Sequence, residues 1–206
     1  GLLIKITGKP QEKGRAASRE ADESILSVKG GEKYKVGPIV AEGGMGVVRE
    51  AVDLACQRVV AIKALPPGRE VPAEYRTRFI EEAQITSQLE HPNIVPVHEL
   101  GFDTSHNVYY TMKFIKGVTL TEVLLGIRRG IEKIVEQYPL SRLLTVFQKA
   151  CDAIAFAHYR GICHCDIKPD NIMICDFGEV VVMDWGLARP IGRDAPEVPA
   201  GARAIL

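Results

Sequence analysis

His164-Cys165-Asp166-Ile167-Lys168-Pro169-Asp170-Asn171, followed after a short apolar hairpin by Asp184-Trp185-Gly186, is the stretch from which the rest of this chain reads. Asp166, Asp184, a lysine and an asparagine are gathered there. Asp166 is placed to orient or deprotonate a hydroxyl, Lys168 to neutralise anionic oxygens, and Asn171 with Asp184 to offer hard oxygen ligands to Mg²⁺. Between them Asn171-Ile172-Met173-Ile174 and Val180-Val181-Val182-Met183 read as strands, joined by the turn-forming Cys175-Asp176-Phe177-Gly178-Glu179. A turn centred near Phe177-Gly178 predicts that antiparallel pairing sets residue 171 beside residue 184. Asp176 would then lie about five residues from Asn171, roughly 16 Å along a strand rising ~3.3 Å per residue, which is too far to share its ligand.

With 206 residues, 46% of them hydrophobic and 25% charged, the chain has the composition of an ordinary soluble globule. Its 26 basic and 26 acidic side chains cancel, so no global field recommends nucleic acid or an anionic membrane as a partner. No apolar run approaches the ~18–20 residues of a membrane span, and the opening residues are too short for a secretory signal, so the expectation is a cytoplasmic protein. Five cysteines without secretory features are expected to be reduced thiols. Cys163, Cys165 and Cys175 with His164 match no familiar zinc spacing.

Lys9 to Glu32 is polar apart from Ile25, Leu26 and Val28, and is expected to be a solvated, mobile arm. Strands follow from Tyr34 to Val40 and from Val47 to Val52, around the glycine-rich turn Ala41-Glu42-Gly43-Gly44-Met45-Gly46. Such a turn brings backbone amides close to a phosphate because no side chain intervenes. Arg58 to Leu65 is an apolar strand carrying Lys63, which alone would read as an edge lysine that snorkels. Pro72 to Glu90 reads as a helix with Tyr75, Phe79, Glu82 and Thr86 on one stripe, and a carboxylate on that stripe needs a buried partner, for which Lys63 is the candidate. Glu81, one step round, should face solvent. Thr119 to Arg128 predicts a short helix, Arg129 to Pro139 a polar connection, and Ser141 the cap of a long helix ending near Arg160-Gly161, with Leu144, Phe147, Cys151, Ile154 and His158 on one face.

These motifs resemble, in order and over roughly residues 32–190, those of the protein-kinase superfamily, and the Asp-Trp-Gly form is similar to bacterial serine/threonine kinases of the eukaryotic type. The resemblance implies an α+β fold: a five-stranded antiparallel sheet with one helix (32–116, after an arm at 1–31), hinged to a partial, mainly helical lobe (117–206). It implies transfer of the ATP γ-phosphoryl to a protein serine or threonine, with Mg²⁺, or Mn²⁺ in its place. Asp166 would orient the hydroxyl and accept its proton, Lys168 would steady the γ-phosphate, and Asn171 and Asp184 would hold the metal. Lys63 would hold the α- and β-phosphates and pair with Glu82. Ala41, Gly43, Gly44 and Gly46 would cover the nucleotide. Met112 would gate the adenine pocket, the backbone of Lys113 and Ile115 would bind the base edge, and Val48, Ala61 and Met173 would sandwich the ring.

Two departures stand out. Ala41 replaces the first glycine of the family's loop, and Cys165 stands where regulated kinases carry the arginine that grips a phosphorylated activation loop, so activation by that route is not expected. The segment that anchors the family's activation loop and the helices after it are expected to lie beyond residue 206, and this stretch is expected to be inactive by itself as a kinase. The rival reading is a nucleotide-binding scaffold without catalysis; an anchor sequence downstream would favour the kinase, while intact Lys63, Asp166, Asn171 and Asp184 already argue against decay.

Overall fold

Alternation of apolar side chains on both faces decides the first half of the molecule. A computed structural model describes residues 24–28, 31–43, 46–66 and 71–191. Strands β1 (Ser24–Val28), β2 (Gly31–Gly43), β3 (Gly46–Asp53), β4 (Arg58–Ala64), β5 (Val97–Phe102) and β6 (Val108–Lys113) form one antiparallel sheet in the order β1-β2-β3-β4-β6-β5. Neighbouring residues on β4 face opposite ways. Val60 and Ile62 join Tyr34, Val36, Ala51 and Tyr109 in an outer cluster, whereas Ala61 packs with Ala41, Val48 and Met112 in the main core. Strand β2 changes face part-way, because its register shifts between Val36 and Ile39 and again before Ala41. Pro38 sits within that irregularity, where a missing N–H interrupts no ladder bond.

The sixth strand corrects the expected solvated arm. Ser24–Val28 pairs with β2, and Leu26 and Val28 pack on the outer cluster. Two apolar side chains spaced by two are enough to hold a short edge strand once the sheet offers a greasy outer face. Residues 1–23 lie outside the described residues, as do Gly44 and the rest of the 44–45 turn. Gly46, beyond that turn, is required on two counts: φ is +135°, and an added Cβ would come within 2.5 Å of the Ala64 carbonyl oxygen.

Helix α1 (Ala73–Ser87) lies between β4 and β5 in sequence and buries Phe79, Ile80, Glu82, Ala83 and Thr86. Tyr75, expected on that stripe, is exposed because it falls in the first turn, before the helix reaches the core. Glu81 is exposed. Past the hinge come β7 (Gly117–Thr119), α2 (Leu120–Arg128), α3 (Glu132–Gln137), α4 (Leu140–Tyr159), β8 (Ile162–Cys163), β9 (Ile172–Cys175), β10 (Val180–Val182) and β11 (Arg189–Pro190). Thr119 and Glu122 close a capping box on α2. Helix α3 occupies what reads as a mere connection: Ile134 fills the space over Gly126, where a Cβ would meet it at 2.3 Å, and Tyr138 is buried behind it.

Helix α4 is capped by Pro139, whose carbonyl accepts from the amides of Arg142 and Leu143, so Ser141 lies inside the first turn and is not the cap. The helix buries Val146, Ala150, Ala153 and Ala157, and the small side chains allow close approach to β8 and β10. Leu144, Phe147, Cys151 and His158 are exposed on its other side and Ile154 is half-buried.

Gly46→Ala should destabilise the protein more than Gly178→Ala. Both positions have positive φ, worth about 1–3 kcal/mol each for a side chain, but a Cβ at 178 meets nothing within 4 Å. Urea unfolding of the two variants measures the difference; equal midpoints would show that β4 yields to the added methyl.

Candidate active site

Lys63 is 3% exposed and Glu82 4%, yet both are ionisable, so the pair has to satisfy itself. The Lys63 ammonium donates to both Glu82 carboxylate oxygens, at 2.6 and 2.7 Å, and the Tyr110 hydroxyl donates to Oε1 at 2.8 Å. The Tyr110 and Phe79 rings also flank the ammonium, with centroids 5.6 and 6.0 Å from Nζ. Burial, followed by the nearby Glu82 charge, pushes the Tyr110 phenol well above its usual range, so it remains a donor. Val48, Lys63, Glu82, Tyr110, Met112 and Asp184 line one narrow crevice. A larger hollow of about 740 Å³, lined by Phe114, Val118, Tyr138 and Ile174, contains none of the expected catalytic or metal-binding side chains; size does not locate the chemistry.

The loop after β8 is built around His164, which is 1% exposed. Its Nδ1 accepts the Asp166 amide at 3.2 Å, its Nε2 lies 3.0 Å from the Met183 carbonyl oxygen, and its ring packs on Trp185 with centroids 4.5 Å apart. Burial lowers its pKa, and one accepting and one donating nitrogen describe a neutral ring. Lys168 Nζ donates to Asp166 Oδ2 at 2.5 Å, while Asn171 Nδ2 donates to the Asp166 carbonyl at 2.8 Å and to Oδ2 at 3.1 Å. The Asp166 carboxyl is held below its ordinary range chiefly by the Lys168 hydrogen bond, with Asn171 adding to it against the cost of burial.

Hairpin β9–β10 pairs Val180 with Ile174 and Val182 with Ile172, so it is centred on residue 177. Residue 171 therefore stands opposite 183, one short of the expected 184, and the Met183 amide donates to the Asn171 carbonyl at 2.8 Å. Asp184 follows at once, with φ +60°, and its carboxylate makes no hydrogen bond among the described residues. Asp176 is exposed at the far end beside fully exposed Phe177. At the hinge Met112 is buried and pairs with Ala61, and the Lys113 amide is taken by the Pro96 carbonyl, whereas the Ile115 amide has no partner among the described residues. Val48, Ala61 and Met173 belong to one core cluster with Met112 and Ile115.

Two positioning groups escape a reading of the sequence. Tyr110 is one of two adjacent tyrosines in a strand that is buried throughout, so alternation does not say which of them reaches Glu82. His164 is visible as a letter of the motif, but its hydrogen bond to the Met183 carbonyl is a long-range contact. Lys113 adds a third: its ammonium meets Glu179 at 2.5 Å, tying the hinge to the hairpin turn.

The protein kinase domain family matches residues 34–203. This chain belongs to the protein kinase family. Similar proteins include the serine/threonine-protein kinases PknD of Chlamydia pneumoniae, 39% identical over 79% of this chain, and of Chlamydia caviae, 39% identical over 76%. The chain spans 18% and 17% of the length of these relatives. Kinases of this family generally use ATP, a divalent cation and protein substrates. No helix among the described residues is long and apolar enough to cross a membrane.

The depressed Asp166 pKa has a definite sign. Its contribution to stability is complete above the unfolded-state value and is lost only as pH falls through the lower folded-state value. Lys168→Met removes the leading cause, so the Asp166 titration, followed by carboxyl carbon NMR, should move up toward the ordinary ~3.9, and acid destabilisation should begin at higher pH. A titration that stays put would show that Lys168 does not set it.

Proposed function

We propose that this chain is the catalytic core of a protein serine/threonine kinase that transfers the γ-phosphoryl of ATP, with Mg²⁺, to a protein hydroxyl. The observation that carries this reading is the Asp166 carboxylate, gripped by Lys168 and Asn171 on a loop that His164 joins to the segment bearing Asp184. We read residues 32–116 as the nucleotide-covering lobe with its hinge and 117–206 as part of the second lobe. Five free cysteines favour a cytoplasmic location.

The donor set fits a hard, strongly hydrated cation. Asn171 spends its amide nitrogen on Asp166 and keeps its side-chain oxygen, and the Asp184 carboxylate makes no hydrogen bond among the described residues. One carboxylate and one amide oxygen, completed by phosphate and water, is the kind of site Mg²⁺ accepts, and Mn²⁺ would fit the same oxygens. Bound there, the cation neutralises phosphate charge.

In this reading Lys63, already oriented by Glu82, meets the α- and β-phosphates, and the backbone of Gly43, Gly44 and Gly46, with Ala41, covers them. Val48, Ala61 and Met173 enclose the adenine and Met112 closes its rear. The Lys113 carbonyl and the Ile115 amide face the base edge. Asp166 orients the substrate hydroxyl and takes its proton, and Lys168 turns from Asp166 to the transferred phosphoryl group. A scaffold without catalysis is not favoured, because each of these polar groups is present and mutually arranged.

Asp184→Ala should weaken Mg·ATP binding sharply and Asp176→Ala should barely change it, as measured by calorimetric titration with and without metal; equal losses would sink the ligand assignment. In the intact protein, Asp166→Asn should leave nucleotide affinity nearly unchanged while transfer falls by the ~10²–10⁴-fold typical of a lost positioned base. Wild-type turnover in that variant would remove Asp166 from the reaction.

A further inference from the structure

Cys163 and Cys165 have no part in the proposed reaction, yet they flank His164, and Cys165 adjoins Asp166. His164 points into the core, Cys163 is half-buried, and Cys165 is exposed with φ +63°. Cys165 Sγ donates to the Cys163 carbonyl at 3.6 Å, and the thiols themselves interact, Cys163 raising the Cys165 pKa. Both border an open apolar hollow of about 590 Å³ that small solutes can enter. Among the described residues no three His, Cys, Asp or Glu side chains form a metal-holding group, so the pair is not explained by a metal.

We propose that Cys163 and Cys165 form a reversible disulfide that displaces His164 and so disables the loop carrying Asp166. The loss of transfer rests on the function proposed above; the disulfide and the displacement do not. Hydrogen peroxide is the oxidant. Cys165 loses its proton and the thiolate attacks one peroxide oxygen, giving a sulfenic acid while the departing hydroxide takes up that proton as water. The Cys163 thiol then attacks that sulfur, the S–S bond forms and a second water leaves. Two electrons pass from the sulfurs to peroxide, and two thiols with one peroxide give one disulfide and two waters. A disulfide most often holds its Cα atoms about 5.5–6 Å apart, whereas two extended residue steps span roughly 6.6 Å. Closure therefore draws residues 163 and 165 together and tilts His164 between them. His164 cannot then keep both the Asp166 amide and the Met183 carbonyl. A ring closed over one residue is strained and exposed, the kind of disulfide that thiols reduce readily.

Trp185, the only tryptophan in the sequence, packs on the His164 ring and gives a readout independent of transfer. This chain is treated with hydrogen peroxide, alkylated, digested and weighed with Trp185 emission followed, and phosphoryl transfer is followed in parallel in the intact protein. The expected result is a peptide lighter by two hydrogens and closed to alkylation at both cysteines, a change in Trp185 emission, and a fall in transfer of about 10²-fold, the scale of a misplaced catalytic group. Dithiothreitol should reverse all three. Cys163→Ser should show neither the emission change nor the loss, and dimedone should trap its Cys165 sulfenic acid. Oxidation of Cys165 with Cys163 still open to alkylation would overturn the proposal, as would a disulfide that leaves Trp185 emission unchanged. A disulfide with the emission change, where the intact protein shows no transfer even when reduced, would uphold the switch and count against the kinase reading.

Discussion

The buried ion pair between Lys63 and Glu82 sets the terms for the upper half of the molecule. Taking both charges out of water is costly, and their attraction compensates only when the remaining hydrogen-bonding capacity is used. Here the carboxylate receives Lys63 on both oxygens and Tyr110 on one. Because Lys63 is on β4, Glu82 on α1 and Tyr110 on β6, satisfying one carboxylate fixes the helix against two strands. Removing one charged partner would strand the other, at the ~3–5 kcal/mol that broken buried pairs cost. The pair thus couples the position of α1 to the ammonium that the nucleotide would meet.

The hairpin β9–β10 does the same for the lower half. Its strands bury Ile172, Met173, Ile174, Val180, Val181 and Val182, and that burial outweighs the half-exposed Lys113–Glu179 pair, which solvent screens toward the ~0–1 kcal/mol class. What the polar contacts add is direction. Asn93 donates its side-chain amide to the Val180 carbonyl at 2.8 Å and accepts the Val182 amide on its own carbonyl at 2.8 Å, so the loop after α1 grips the hairpin. Lys149 holds the turn through the Gly178 carbonyl at 2.7 Å. With both ends held, Asn171 and Asp184 share the open end and Asp176 is left in solvent at the other.

The sequence was most legible where chemistry demands particular residue types at particular spacings. Lys63, Glu82, Asp166, Lys168, Asn171 and Asp184 were nameable because few structural roles need them together. The main sheet and helices α1, α2 and α4 followed from periodicity. What stayed hidden depended on partners distant in sequence. Strand β1 forms because β2 and β4 offer an outer apolar face, which Leu26 and Val28 alone do not announce. Helix α3 forms because Gly126 leaves room for Ile134. The hairpin register differed by one residue because turn chemistry at 175–179 allows more than one centre. Pro139 displaced Ser141 as the cap of α4 because a fixed φ and a free carbonyl start a helix without a side-chain bond.

Backbone strain shows why the imidazole of His164 matters more than its place in a motif suggests. Cys165 and Asp184 are both non-glycine residues in the left-handed region, at φ +63° and +60°. Such conformations cost about 1–3 kcal/mol each and persist only when their surroundings hold them. One lies immediately before Asp166, whose amide donates to His164 Nδ1, and the other immediately after Met183, whose carbonyl accepts from Nε2. A single ring thus holds two strained turns, one presenting the carboxylate of Asp166 and the other that of Asp184. It can do so only while neutral, since a proton on Nδ1 would face the Asp166 N–H donor to donor. Burial of the ring, which lowers its pKa, keeps that proton away and so keeps both carboxylates where they are.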